Sequence, residues 1–413
     1  MLFAFVLAFA VQLAYWWGLF GRLAWWQMAE EKQPILAASY VCKYNKHKKI
    51  KKNISHVNSD LVPTIADSKC PKYNTVGVSV IICAKNEANN LLQNLPIVLS
   101  QKYQIFEVVV VNDASTDETA QILRAYKQQY PQLRIIDLDD TTPRTLQGKK
   151  HALQCGIEAA QYDFLILTDA DCRPVGLQWL QCMANPPIHT AENSSDFAPP
   201  RIVLGYSPYE TQATWLNACI QYETWHTAML YFSAALCGLP YMGVGRNLAY
   251  SRALFRQNDG LNRYTQTPSG DDDLLINDIA TPDNVYIMLH PQSFCISKAP
   301  QTWRHWIRQK QRHLGTANQY RPAHQLLLGI WALSHGLFHS LFLVLLFYTD
   351  TAYLALSLYT IKLAVQFLFI RQIVQKIHTS LPIWKIILID TFWFLYYLFF
   401  SLHLRPRKTI IWK

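Results

Sequence analysis

Hydrophobic residues are concentrated at the two ends of this 413-residue chain, whereas the middle alternates between short apolar and polar stretches. The first 26 residues contain one charge, Arg22, and are long enough to cross a bilayer as a helix. Tryptophans close this run and no basic segment precedes it, so we expect a retained anchor rather than a cleaved signal peptide. Toward the other end, apolar runs predict three more spans, at about 326–348, 351–370 and 383–403.

Basic residues next to these spans predict the orientation of the chain. The formal net charge is +10, and six lysines lie between Lys43 and Lys52. A lysine run can bind nucleic acid, but beside a span it is more typical of the cytoplasmic side, where it contacts anionic headgroups. We therefore expect an integral protein of the cell (inner) membrane, with its middle region in the cytoplasm and no nucleic-acid partner. The basic tail at 405–413 would face outward if all three C-terminal segments cross, so one of them could instead lie in the interface.

The middle of the chain, from about Tyr73 to Tyr320, has the pattern of an α/β domain. Apolar runs predict strands at 78–84, 106–111, 133–137 and 164–168. Helix-like segments between them predict right-handed crossovers and a parallel sheet. Ser115 and Glu118 have the spacing of a capping box, which would open the helix after the second strand. Nine scattered cysteines without a Cys-x-x-Cys pair argue against a structural zinc site or a disulfide framework.

The strand at 164–168 leads directly into two carboxylates, Asp169 and Asp171. Ligands of open α/β sheets bind beyond the carboxyl ends of the strands, so both side chains would lie at a ligand site. Two oxygen ligands there suit Mg²⁺ or Mn²⁺ carrying a diphosphate. A solvated acidic turn is the plainer alternative for an isolated Asp-x-Asp. Further polar positions at the same predicted edge, Glu87 and Asp113, weigh against it.

Two later segments carry charges that fit the same chemistry. Lys149 and Lys150 precede a helix, where ammonium and amide groups together favour phosphate, although a solvated basic turn is about equally consistent. The stretch 271–273 is three adjacent aspartates, which could cap a helix after Ser269. Their mutual repulsion would also raise at least one pKa, as a general base requires.

The last segment before the membrane, 302–313, has an amphipathic pattern. Trp303 and Trp306 recur at helical spacing, and arginines lie on an adjacent face. This pattern is typical of a helix that lies in the membrane interface. Arg312 could in addition face the pocket and hold a diphosphate leaving group.

Taken together, these motifs resemble the membrane-anchored family 2 glycosyltransferases, which have the GT-A fold and include cellulose, hyaluronan and poly-N-acetylglucosamine synthases. The resemblance covers about 75–316 and rests on Val80–Glu87, Val111–Asp117, Gly148-Lys149, Asp169-Ala-Asp171, Gly245–Ala249, Gly270-Asp-Asp and Gln309-x-x-Arg312. It implies a Rossmann-like nucleotide-sugar domain flanked by transmembrane helices. The expected division is 1–26 anchor, 27–72 basic linker, 73–300 GT-A domain, 301–325 amphipathic helix, 326–404 three membrane segments and 405–413 basic tail.

The resemblance also implies roles for individual residues. Asp272, with Asp271 beside it, would be the catalytic base, and Asp169 and Asp171 would bind Mg²⁺ or Mn²⁺. The donor nucleotide and its phosphates would be bound by Ala84, Glu87, Asp113, Lys149, Asp169, Gln309 and Arg312. Asn247 and His313 would lie on the acceptor side. The family's Trp after the Arg is replaced by His313, which puts processive chain elongation in question.

The predicted function is inverting transfer of a sugar from a nucleotide-diphosphate donor, expected to be UDP-linked, to a membrane-associated lipid or glycan acceptor, for surface glycan or glycolipid synthesis. A processive polysaccharide synthase, a nucleotidyltransferase of similar fold and a degenerate membrane scaffold are the alternatives. The sequence identifies neither the sugar nor the acceptor.

Overall fold

The computed structural model describes residues 1–26, 76–139, 141, 144, 146–185, 201–265, 267, 269–313 and 315–403. The predicted basic linker and the basic tail lie outside these residues. So do the side chains of Arg312 and His313, whose predicted roles therefore stay predictions.

Nine strands form the frame of the middle region, and their bounds are β1 Val78–Ala84, β2 Phe106–Asp113, β3 Leu133–Leu138, β4 Phe164–Leu167, β5 Cys172–Pro174, β6 Ile202–Gly205, β7 Leu248–Ser251, β8 Val285–Met288 and β9 Cys295–Ser297 among the described residues. Seven of them make one sheet in the order β3-β2-β1-β4-β7-β6-β8, and β5 pairs with β9 separately. The four predicted strands are confirmed within two residues and run parallel. β7, for which no strand was predicted, runs antiparallel to both β4 and β6, so the complete sheet is mixed.

Helices cover both faces of this sheet and extend beyond it. Their bounds are α1 Leu2–Ala14, α2 Gly21–Ala24, α3 Ala88–Leu99, α4 Thr119–Gln129, α5 Lys149–Ala159, α6 Trp179–Ala184, α7 Trp215–Leu236, α8 Arg252–Gln257, α9 Asp273–Ile279, α10 Trp303–His313, α11 Pro322–Leu345, α12 Thr349–Ile377 and α13 Ile383–His403.

The central strands are buried on both faces, as their unbroken apolar runs predict. Ile81 of β1 lies in the same core cluster as α5, and its neighbour Ile82 lies in the cluster of α3. Gly156 allows α5 to approach the sheet closely, since a Cβ there would come within 2.9 Å of side-chain carbons of Ile81 and Val111. This close packing against β1 and β2 fixes the position of α5 over the sheet.

The predicted capping box is wrong, because another carboxylate caps the helix. Asp117 accepts the backbone N–H of Thr119 at 3.0 Å and that of Ala88 at 3.2 Å, so it joins the first turns of α3 and α4. The Ser115 hydroxyl instead accepts the backbone N–H of Asn86 at 3.0 Å. Spacing alone could not distinguish Asp117 from Ser115, since the deciding partner, Ala88, lies 29 residues away.

Four helices among the described residues are long and apolar enough to cross a membrane: Leu2–Ala24, Pro322–Leu345, Thr349–Ile377 and Ile383–Phe400. The first consists of α1 and α2, joined through a π-helical segment, Tyr15–Phe20. These are the four predicted spans, shifted by a few residues, and the chain is a membrane protein.

The expected amphipathic helix is shorter than predicted and is partly buried. It ends at His313, and a separate 3₁₀ turn, Ala317–Gln319, precedes α11. Lys310 forms an ion pair of 2.5 Å with Glu223 of α7. Trp306 is buried and packs against the ring of Tyr396 in α13, with ring centroids 5.8 Å apart. The segment therefore joins the sheet region to the membrane helices, which a freely exposed interfacial helix would not do.

A cluster of polar side chains, which the sequence analysis did not identify, lies inside the membrane bundle. Asp390 of α13 accepts hydrogen bonds from Lys362 at 3.2 Å, Gln366 at 2.7 Å and Tyr222 at 2.6 Å. All four of these side chains are buried. We call this group the Asp390 cluster.

Candidate active site

Lys149 lies at the centre of a group of carboxylates at the end of β4. Gly148 adopts φ +60°, a conformation that favours glycine, and it starts α5 so that Lys149 is the first helical residue. The Lys149 ammonium donates to Asp169 at 2.5 Å and lies 3.6 Å from Asp271. Burial alone would lower the pKa of Lys149, but these two carboxylates outweigh it and hold the pKa well above its ordinary value. One cation thus joins the Asp-x-Asp and Gly-Asp-Asp motifs, which are about a hundred residues apart.

Asp169 and Asp171 are brought together with Cys172 as a possible metal site. One ligand atom from each residue lies within 4.8 Å of the others. Burial raises the pKa of the Cys172 thiol well above its ordinary range, so the sulfur stays protonated and is a weak ligand. The two carboxylates remain as hard oxygen donors, which suits Mg²⁺ or Mn²⁺. Asp171 also lines a polar cleft of about 260 Å³.

Two backbone N–H groups fix the carboxylate of Asp272. It follows Gly270, whose φ of +100° permits the turn, and it caps α9 by accepting the backbone N–H of Asp273 at 2.8 Å. Its other oxygen accepts the backbone N–H of Gly245 at 2.7 Å. Burial and the neighbouring charges of Asp271 and Asp273 raise the pKa of Asp272 to about 7. A carboxyl group with that pKa is suited to accept a proton near neutral pH.

The third aspartate of the run has a different environment. Asp273 accepts hydrogen bonds from the hydroxyls of Thr316 at 2.5 Å and Tyr320 at 2.8 Å. It is buried and ties α9 to the segment before α11. Asp273 therefore has a structural role, and Asp272 is the better candidate for a base.

Lys150, adjacent to Lys149, holds the loop that carries Asp271 and Asp272. Its side chain is 1% exposed, and its ammonium donates to the carbonyl oxygens of Tyr264, Thr267 and Ser269. A phosphate cannot reach an ammonium that is enclosed in this way. The possibility of phosphate binding therefore applies to Lys149, and Lys150 positions the loop.

Asp113, expected beside the nucleotide base, lies at the end of β2 and is fully buried. Arg144 donates to both of its carboxylate oxygens, at 2.6 and 3.1 Å, and Lys85 lies 3.9 Å away. Glu87 precedes α3 and accepts from Asn90 at 2.5 Å, and Ala84 is buried at the end of β1. All three residues are at the predicted sheet edge, and Asp113 already has a cationic partner there.

Asn247, which the resemblance places on the acceptor side, lies inside the fold. Its side chain is fully buried and donates to the carbonyls of Tyr206 and Ser293, each at 2.8 Å. Its side-chain oxygen accepts the indole N–H of Trp179 at 3.0 Å. Every polar atom of this amide has a partner inside the fold, so Asn247 connects the core, and its predicted place on the acceptor side stays a prediction.

Gln309 and Arg246 both contact the side chain of Tyr209. The Gln309 amide donates to the hydroxyl of Tyr209 at 3.0 Å. The Tyr209 ring lies under the guanidinium of Arg246, with 4.2 Å from Cζ to the ring centroid. Arg246 was not among the predicted site residues, although the motif Gly245–Ala249 contains it.

Two family models match the chain. Glycosyl transferase family 2 matches residues 79–187, and Glycosyl transferase family group 2 matches residues 195–403, more than half of the chain. The chain belongs to the family 2 glycosyltransferases. It is therefore a glycosyltransferase, as the motifs predict.

Individual relatives match a smaller part of this glycosyltransferase. Over 95 residues it is 33% identical to a poly-beta-1,6-N-acetyl-D-glucosamine synthase of Staphylococcus epidermidis, covering 23% of this chain and 22% of that protein. The corresponding synthase of Staphylococcus aureus is 32% identical over the same length, with the same coverage. The chain thus spans about a fifth of the length of these relatives.

A solved structure resembles nearly the whole glycosyltransferase. It is a mannosyltransferase from Pyrobaculum calidifontis, in complex with GDP-Man and Mn²⁺, with a TM-score of 0.52 and 19% identity. The likeness covers 91% of this chain and 97% of that one. It confirms the GT-A fold.

Proposed function

We propose that this glycosyltransferase catalyses inverting transfer of a sugar from a nucleotide-diphosphate donor to a hydroxyl of a lipid or glycan at the membrane surface. The observation that carries the proposal is the pairing of Asp169 and Asp271 with one ammonium, that of Lys149, next to a carboxyl group, Asp272, with a pKa of about 7. This arrangement provides a place for a diphosphate and a base beside it.

In the proposed reaction the acceptor oxygen attacks the anomeric carbon while Asp272 takes its proton. The bond between that carbon and the diphosphate oxygen breaks, and the diphosphate leaves with the electron pair. Asp169 and Asp171 would hold a divalent cation, Mg²⁺ or Mn²⁺, which supplies positive charge to the leaving diphosphate. Lys149 adds a fixed cation on the same side. A similar structure that holds GDP-Man and Mn²⁺ supports this choice of ligands.

The same proposal assigns a place to each part of the chain. Residues 1–26 and the three segments within 326–404 hold the enzyme in the cell (inner) membrane, and 27–72 and 405–413 are basic flanks. The GT-A domain, 73–300, and the connecting segment, 301–325, face the cytoplasm, where nucleotide sugars are available. UDP is the expected nucleotide, as the resemblance of the motifs to the family implies, whereas the similar mannosyltransferase structure holds GDP-Man.

The test uses the full chain in membrane vesicles with a panel of radiolabelled UDP- and GDP-sugars and either Mn²⁺, Mg²⁺ or EDTA. We expect label to enter a membrane-bound product with one or a few donors, only when a divalent ion is present. Label that stays in the free nucleotide sugar under every condition would overturn the proposal and support a scaffold. Nucleotide in the product would instead indicate a nucleotidyltransferase.

A processive polysaccharide synthase is the second candidate, and the likeness to two staphylococcal synthases favours it. The length of the labelled product separates the two. A single transferred sugar per acceptor supports the first proposal. Long polymer that appears while most of the acceptor is still unextended supports the second.

A further inference from the structure

The backbone of Arg246 is fixed between the proposed base and the proposed metal site. The N–H of the preceding residue, Gly245, donates to Asp272 at 2.7 Å. The carbonyl oxygen of Arg246 itself accepts the hydroxyl of Thr168 at 3.0 Å, and Thr168 directly precedes Asp169. The backbone of Arg246 therefore lies between Asp272 and the start of the Asp-x-Asp motif.

The guanidinium of Arg246 is directed toward Asp171 and Cys172 by two contacts. One N–H group donates to the hydroxyl of Ser297 at 2.6 Å. Ser297 is the residue opposite Cys172 in the pairing of β5 with β9. The face of the guanidinium lies over the Tyr209 ring. The cation is thus held one strand away from the carboxylates of the Asp-x-Asp motif.

The Arg246 guanidinium forms no ion pair with a carboxylate of the described residues. Among the described residues, its other N–H groups also have no hydrogen-bond partner. Burial would lower the pKa of Arg246, but Tyr209, Cys172 and Asp171 outweigh it and raise the pKa, so the group stays charged. Stacking on a ring leaves the N–H groups pointing outward in the plane of the guanidinium, where they can bind two oxygens at once.

We propose that Arg246 is a phosphate-binding residue of this site. Carboxylates at Asp169 and Asp171 attract a cation, and Arg246 supplies a second, fixed positive charge near the same point. A phosphate group that lies between the bound cation and Arg246 would contact both positive charges. Either the diphosphate of the donor or the phosphate of a lipid acceptor has this chemistry. The inference rests on the proposed sugar transfer.

The experiment compares Arg246→Met with Arg246→Lys and with Arg173→Met in the full chain reconstituted in vesicles. Arg173 is a matched control, because it lies two residues after Asp171 but pairs with Glu210 at 3.3 Å and is 44% exposed. Calorimetry measures the Kd of UDP, or of GDP if the wild type prefers it, with Mn²⁺, and the Kd of the same nucleoside without phosphates. Transfer assays give KM for a polyprenyl phosphate and for a neutral glycan acceptor. Melting temperatures test whether each variant folds.

If the donor diphosphate is the ligand, Arg246→Met raises the Kd of the nucleoside diphosphate about tenfold or more, as loss of a charged hydrogen bond does. The Kd of the nucleoside stays unchanged, and Arg246→Lys recovers part of the affinity. If the acceptor phosphate is the ligand, the diphosphate Kd is unchanged and KM rises by a similar factor for polyprenyl phosphate alone.

An unchanged diphosphate Kd together with an unchanged KM for polyprenyl phosphate would overturn the inference, and so would an equal loss in Arg173→Met. These results leave the proposed function intact, provided that the wild type binds nucleotide and transfers sugar. A wild type that does neither would overturn the proposed function and the role of Arg246 with it.

Discussion

Two groups of charged side chains in this molecule differ in how positive and negative charges are paired. In the Asp390 cluster, one carboxylate meets one ammonium, that of Lys362, and two neutral donors from Gln366 and Tyr222. At the sheet edge, Lys149 is shared by Asp169 and Asp271, and Asp272 lies beside them with its pKa raised to about 7.

The partners of the carboxylates indicate a structural role for one group and a ligand site for the other. In the Asp390 cluster, both carboxylate oxygens have donors among the described residues, and Tyr222 connects α7 to the membrane helices. At the sheet edge, Asp169 and Asp271 share the ammonium of Lys149. The negative charges of Asp271 and Asp273 favour the protonated form of Asp272, which raises its pKa. The two groups thus differ in that one carboxylate collects several donors at Asp390, whereas several carboxylates share one ammonium at the sheet edge.

The largest expected effect comes from the base. Asp272→Asn removes the proton acceptor but keeps the shape and a side-chain oxygen that can still accept the N–H of Gly245. We expect kcat to fall by a factor of about 100 to 10,000, with the Kd of the nucleotide changed less than about threefold. Asp283→Asn, at an exposed aspartate after α9, is the control and should keep wild-type kcat. Wild-type turnover in Asp272→Asn would show that another group takes the proton.

Breaking the Asp390 cluster should change stability instead of chemistry. Lys362→Met leaves the Asp390 carboxylate buried without its cation, which costs about 3 to 5 kcal/mol of unfolding free energy. Thermal unfolding in detergent measures this loss. The double variant Lys362→Met with Asp390→Leu should regain most of it, because no charge then remains uncompensated. A double variant as unstable as the single one would contradict the balanced-pair account.

Loosening the loop of the base should have a smaller effect. Lys150→Met removes the N–H groups that hold the carbonyls of Tyr264 and Thr267, so Asp271 and Asp272 lose their fixed position. We expect kcat to fall about tenfold to a hundredfold while the nucleotide Kd stays near wild type. Lys149→Met is the matched neighbour and should show the opposite pattern, a raised Kd. Equal changes in both variants would remove the distinction between the two lysines.

The smallest perturbation is a change of pH. Asp272 must be deprotonated to act as a base, and its pKa is raised to about 7, so kcat/KM should rise about tenfold per pH unit below 7 and level off above it. Asp273→Asn removes one neighbouring negative charge and should move the midpoint to lower pH. A profile that is flat between pH 5 and 8 would contradict the assignment of Asp272.

Residues in contiguous motifs were predictable from the sequence. Asp169, Asp171 and Asp272 follow short local signals, an apolar strand or a glycine turn, and the sheet brings them to one edge as expected. The burial of Asn247 was not predictable, because its motif gives no indication that Trp179 and the carbonyl of Tyr206 are partners of the amide.

The remaining site residues depend on partners that are distant in sequence. Lys150 contacts carbonyls more than a hundred residues away, and a backbone carbonyl leaves no trace in the residue pattern. Arg246 acquires its direction from Ser297 and Tyr209, which belong to other elements. Lys362 and Asp390 are separate charges in two apolar runs, and only the packing of α12 against α13 shows that they form a pair.

The central claim is that the clustered carboxylates Asp169 and Asp171 at the sheet edge bind a divalent ion together with a nucleoside diphosphate. Calorimetric titration of Mn²⁺ into the full chain, with and without UDP or GDP, measures this coupling in the wild type and in Asp171→Asn. We expect nucleotide to tighten Mn²⁺ binding about tenfold or more in the wild type and to leave it nearly unchanged in Asp171→Asn. Nucleotide that binds the wild type equally well in EDTA, or coupling that survives Asp171→Asn, would contradict the account.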